Sequence, residues 1–163
     1  MTYGVRDFGG RRVELCDECG FDGRDARAER DDIRAAFAAL QQLTTHSDAG
    51  RRPAPGAWSA VEYAAHSVEV TGTLIQTASM ALGRDEPAAP GDLQDAAMAA
   101  IAFAGSLSAG DREVQVPGFP FDITVAGIVT HLLHDVEHHV LDVRKGLTSL
   151  ALAEGGEVHT VRR

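Results

Sequence analysis

Four of the chain's seven histidines, His131, His134, His138 and His139, fall within nine residues. A neutral imidazole is a good ligand for Zn²⁺, Ni²⁺, Fe²⁺ or Cu²⁺. On a helix, residues four apart share a face one turn along. His134 and His138 can therefore converge on one ion, as in other H-x-x-x-H sites. His131, three residues before His134, partly shares that face, whereas His139 points about 100° away from His138. The same spacing also occurs among surface and capping histidines, so a metal site needs a further ligand from elsewhere. His66 is the best candidate, because its neighbours Ala65 and Val70 look core-facing and the imidazole is expected to point inward. One polar residue inside a bundle is tolerable, but three converging ones need a reason.

Cys16 and Cys19 are the only cysteines, at C-x-x-C spacing. Three readings stand side by side. They could be half of a zinc site completed by histidines or by a second subunit. They could be a redox pair, or unbonded residues of a leader segment. A closed zinc site needs four ligands, so two thiols alone leave the first reading incomplete. Phe21 could anchor the leader in a groove.

The elements that must position these residues read as helices. A first helix is expected from about Asp25 to Thr45, with Ile33, Phe37 and Leu40 at helical spacing. Pro53, Pro55 and their neighbouring glycines mark a linker. Ser59-Ala60-Val61-Glu62 fits a capping box that opens a second helix. That helix carries His66 and runs to about Leu82, with Gly83 as its stop. Asp92 can cap a third helix to about Ser108. Pro117 and Pro120 exclude helix interior, and a short strand over Glu113 to Val116 is possible. The longest helix is expected from about Ile123 to Lys145, with Gly146 at the position after its end. Residues 1–24 read as an irregular leader, 25–150 as an all-α four-helix bundle and 151–163 as a polar tail.

Composition excludes several classes. The 163 residues suit one domain, and 44 % hydrophobic with 24 % charged residues is ordinary globular usage. A net charge of −9 without a basic stripe argues against nucleic acid. No apolar run approaches the roughly 20 residues that span a bilayer, and the first residues lack the apolar core of a secretory signal. The expected compartment is the cytoplasm, where a C-x-x-C pair is no disulfide scaffold.

Two segments carry a family resemblance. Trp58-Ser59-Ala60-Val61-Glu62-Tyr63-Ala64-Ala65-His66 resembles the W-s-x-x-E-x-x-x-H segment of the DinB/YfiT-like superfamily. His131-Leu132-Leu133-His134-Asp135-Val136-Glu137-His138-His139 resembles that family's H-x-x-H-x-x-x-H segment, and the match covers roughly residues 25 to 147. After the last of these ligands many members have Arg-Gly-Gln, where this chain has His139-Val140-Leu141. The H-D-x-x-H-H-x-x-D-V form and the C-x-x-C-G-F-D leader resemble an actinobacterial branch.

The resemblance implies an up-down-down-up four-helix bundle and a divalent-metal site of three histidines with open positions. Carried over, the ligands fall on His66, His134 and His138, with Zn or Ni expected and Fe or Mn compatible. The reaction implied is transfer or isomerisation with a low-molecular-weight thiol, mycothiol in this branch, acting on a small electrophile. An ion of this kind can hold the sulfur as thiolate. Glu62, Glu69, Asp135, Glu137 and Asp142 are carboxylates that could orient a ligand imidazole through its other nitrogen. Glu62 has the capping box as a competing role, and Asp135 and Glu137 have solvent or a neighbouring helix. His131 and His139 are candidate general bases, equally readable as surface or packing residues. The alternative is a non-catalytic metal- or small-molecule-binding module, its ion structural or sensory and closed by a fourth ligand such as His131, Glu69 or a leader cysteine. A homodimer is expected because bundles of this family often pair through helices.

Overall fold

The computed structural model describes residues 3–8, 11–23 and 29–155. The chain is mostly helical, with a small sheet at its start. Strands β1 (Tyr3–Phe8), β2 (Arg11–Cys16) and β3 (Phe21–Asp22) form an antiparallel sheet in the order β1-β2-β3. Helices α1 (Glu29–Thr44), α2 (Ala60–Ala81), α3 (Leu93–Ser106), α4 (Ala109–Arg112) and α5 (Val125–Gly155) follow.

The four long helices share one core. Each buries a stripe at helical spacing: Ile33, Ala36, Phe37 and Leu40 in α1, and Ala60, Ala64, Ser67, Thr71, Leu74, Ile75 and Ala78 in α2. Helix α3 contributes Leu93, Ala96, Ala100, Phe103 and Ala104. Helix α5 contributes Val125, Ile128, Val129, Leu132, Leu133, Val136, Val140 and Val143. Helices α1 and α2 each pack against both α3 and α5. Among the described residues no helix is long and apolar enough to cross a membrane.

The start of α2 follows the sequence expectation. Ser59 Oγ accepts the Glu62 backbone N–H at 3.3 Å, and Glu62 Oε2 accepts the Ser59 N–H at 2.9 Å. The helix ends at the Leu82 cap, with Gly83 at φ +65°. Asp92 caps α3 as its type suggests. The possible strand reduces to a single antiparallel bridge between Gln115 and Thr124.

Three expectations are corrected. The leader is not irregular, because Tyr3–Phe8 and Arg11–Cys16 pair residue for residue, from Tyr3 opposite Cys16 to Phe8 opposite Arg11. Gly146 does not end the last helix, which continues to Gly155. A Cβ at Gly146 would stand 3.2 Å from Pro53 Cγ, so this glycine serves the close approach of the α1–α2 linker. The tail beginning at residue 151 is correspondingly helical as far as 155. The first helix begins at Glu29 among the described residues, and the expected start at Asp25 lies outside them.

Candidate metal centres

Helix α5 carries two polar stripes beside its apolar one. At about 100° per residue, His134 lies about 160° from Val136, on the side opposite the core. His131 and His138 fall close to it. Asp135, His139 and Asp142 form the second stripe, about 90° to one side of the core stripe. The sheet covers the first stripe, and α2 meets the second.

Alternation along β2 decides what the sheet presents. Glu14 and Cys16, two apart in a strand, point to the same face. That face lies on α5. Glu14 Oε1 stands 2.6 Å from His134 Nδ1 and 2.9 Å from His131 Nδ1. Burial would raise the Glu14 pKa, but the two histidines outweigh it and bring it to about 2. Glu14 is therefore a carboxylate that only accepts, and Nδ1 of each histidine carries the proton. Nε2 of His134, wholly buried, lies on the other side of the ring from Glu14.

Between β2 and β3 the chain turns sharply. The Gly20 N–H donates to the Cys16 carbonyl at 3.0 Å, and Gly20 takes φ +78°, which only glycine adopts without strain. The turn returns Phe21 into the core, its ring centroid 4.8 Å from that of His134. Phe21 thus anchors the leader. Lys145 of α5 adds an ion pair to Glu18 at 2.8 Å.

The turn sets both thiols against α5. Cys16 Sγ lies 3.6 Å from His138 Nδ1. Cys16, Cys19, His134 and His138 each offer one ligand atom, and these atoms all lie within 4.8 Å of one another. Both cysteines are free thiols. Burial opposes ionisation of Cys16, yet the Cys19 and Glu18 backbone groups and His134 bring its pKa down to about 6. Burial pushes Cys19 up to about 11. The His134 pKa is raised, because Glu14 and Cys16 outweigh the burial that would lower it.

The second stripe meets His66. His66, Asp135 and His139 also bring three ligand atoms within 4.8 Å. His139 Nε2 stands 3.5 Å from Asp135 Oδ1, and its Nδ1 stands 3.5 Å from Asp142 Oδ2. Both nitrogens are buried and neither reaches hydrogen-bond geometry. Burial, joined by the nearby His66, lowers the His139 pKa despite Asp135 and Asp142. Trp58 meets the His66 ring edge-on at 4.9 Å, and Tyr63 lies 5.0 Å from the His139 ring. Trp58 itself is 41 % exposed, so the site opens near the surface.

The structure thus brings His134 and His138 together but groups His66 with His139 and Asp135. Among the described residues no ligand cluster unites all three expected histidines. The reason is the helical angle, which turns His134 and His138 away from α2. His66 is half-buried at an edge, and Ala65, expected to face the core, is exposed. His131 binds Glu14 and meets the rings of Phe119 and Phe121. Glu69 is exposed on the far side of α2, lining a groove of about 420 Å³ with Gln76 and Glu86. Glu62 caps α2 and accepts from Arg52 Nε at 2.9 Å. Glu14 is the residue that sequence reading missed. Its signal was the Glu-x-Cys alternation in a short strand, visible only once the leader is read as sheet. Comparison with protein-family profiles, with curated proteins and with solved structures finds no significant match.

Proposed function

We propose that the chain is a divalent-metal-binding protein of the DinB/YfiT-like type, built on an up-down-down-up four-helix bundle, that uses a small thiol such as mycothiol to transfer to, or isomerise, a small electrophile in the cytoplasm. The observation that carries this reading is the meeting of His66 from α2 with Asp135 and His139 from α5. These three replace the His66, His134 and His138 set as the open site.

The donor set fits an ion. Two imidazoles and one carboxylate are a recurrent open-sided ligand set for Zn²⁺ and Fe²⁺. Leaving a buried imidazole nitrogen unsatisfied costs about 1–3 kcal/mol, and His139 carries two such nitrogens. A bound divalent ion supplies a Lewis-acid position for a thiolate or a water. The chain's own groups do the rest. The lowered pKa of His139 keeps it neutral and able to ligate. Asp142 stands 3.5 Å from Nδ1 of that ring, which leaves Nε2 as the nitrogen beside Asp135. Burial, and then Asp142, push the Tyr63 pKa up, so its phenol keeps its proton beside the site. The exposed Trp58 face gives an apolar wall where a small electrophile can rest.

The test is turnover of mycothiol with monobromobimane by untagged protein loaded with each of several metals. A rate above the thiol-only background that His66→Ala abolishes is expected. Background rates with every metal would sink the transferase reading.

One observation favours the non-catalytic alternative for part of the molecule. His134 and His138 share their cluster with two thiols, which would close an ion off from substrate. That cluster is separate from the open site.

A further inference from the structure

We infer that Cys16, Cys19, His134 and His138 form a zinc site closed by four protein ligands, which clamps the N-terminal sheet onto helix α5. This inference goes beyond the open site and stands without it, since the two share no ligand.

Four observations converge on this. The first is donor type and count, since two thiols and two imidazoles are a complete structural zinc set. The second is spacing. With Zn–S near 2.3 Å and Zn–N near 2.0–2.1 Å at tetrahedral angles, a sulfur and a nitrogen on one ion lie about 3.6 Å apart. Cys16 Sγ and His138 Nδ1 are separated by 3.6 Å.

The third is the outer support. Glu14 accepts from His134 Nδ1 and so turns Nε2 toward the sulfurs, the carboxylate–histidine arrangement that orients zinc ligands. His138 is set in the opposite sense. Its Nε2 faces Asp142 at 3.8 Å and Glu18 at 3.9 Å, which leaves Nδ1 toward Cys16. The fourth is the turn itself. Gly20 at φ +78° lets Cys16 and Cys19 present both sulfurs to one side, within 4.8 Å of each other and of both imidazoles.

The charges balance as well. Both sulfurs bind as thiolates, any proton they still carry passes to solvent, and together they neutralise the 2+ ion. Cys16 and His134 are 3 % and 6 % exposed, so the ion gives the buried thiolates an opposite charge there. In this reading the leader is a third layer whose attachment depends on metal.

The experiment uses the untagged full chain. Zinc is measured by elemental analysis, and cobalt(II) is then exchanged for it. Thiolate-to-cobalt charge-transfer absorption with the intense visible bands of a tetrahedral ion is expected in the wild type and in His66→Ala, and is expected to be lost in Cys19→Ser. Because Cys19→Ser could fail to fold, the native protein is also titrated with 4-hydroxymercuribenzoate while a metallochromic dye reports zinc. Release of one zinc per two thiols titrated supports the site. Cobalt spectra without a thiolate band would overturn it. So would rapid alkylation of Cys16 in native protein with zinc content unchanged, the behaviour of a nucleophilic Cys16–His134–Glu14 set. Loss of mycothiol turnover in His66→Ala reports on the open site alone, so the two readings fail separately.

Discussion

Glu14 Oε1 accepts a hydrogen bond from His134 Nδ1 at 2.6 Å, joining residues 120 positions apart. The bond is buried, and it holds Nδ1 of His134 on the carboxylate. The same oxygen holds His131 at 2.9 Å, so one carboxylate orients two histidines of α5.

Glu14→Gln keeps the shape but removes the charge from this contact. Loss of such an orienting carboxylate typically costs 10–100-fold in metal affinity. Zinc affinity of the variant, measured by competition with a chromogenic chelator, is expected to fall by about that factor. An unchanged affinity would show that His134 needs no such support.

His138 and His139 are adjacent in sequence, yet they fall in different groups of potential ligand atoms. His138→Ala is expected to abolish the thiolate–cobalt absorption and leave one metal-dependent function in place. His139→Ala is expected to keep that absorption and to lose turnover with mycothiol. If both variants lose both signals together, the two clusters are one.

Gly23 tests the seating of the sheet. A Cβ there would stand 2.9 Å from the Glu14 carbonyl oxygen and 3.3 Å from the Thr130 methyl. Backbone has nowhere to yield, so Gly23→Ala is expected to destabilise by about 1–3 kcal/mol, as overpacking does. Thermal unfolding measures the loss. Zinc retention should fall with it, because Gly23 N–H also donates to the Glu14 carbonyl at 2.9 Å.

The start of α2 carries a pH dependence. Glu62 is held at about 2, below its usual 4.5, first by Arg52 and then by Ser59. Its folded value is depressed, so its stabilising contribution is present above about 4.5 and fades as pH falls toward 2. The difference in Tm between wild type and Glu62→Gln should therefore be present at neutral pH and shrink through that window. Ser59→Ala should cost about 1 kcal/mol, a shift of about 2–4 °C in a chain of this length. A pH-independent difference would remove the carboxylate from the cap.

Much of the helical frame was legible because its signals are local. Ile33, Phe37 and Leu40 repeat at helical spacing, and Ser59 with Glu62 needs only four residues to announce a helix start. Gly146 misled for the same reason. A glycine near a helix end reads as a stop, whereas here it makes room for Pro53, some 90 residues earlier in the chain. The leader was illegible as sheet because its strands are short and its glycine-rich composition resembles a loop.

By itself the sequence determined the relative angles of the histidines on the last helix and the presence of a C-x-x-C pair at the other end of the chain. Periodicity places His138 and His139 about 100° apart but does not say which of them faces which neighbour. Only the tertiary structure decided that. The apolar stripe through Val136 must face the other helices, so His134 is turned outward, where the sheet brings Cys16 to His138 across 122 positions. His66, fixed on α2, can then reach only the adjacent stripe of Asp135 and His139.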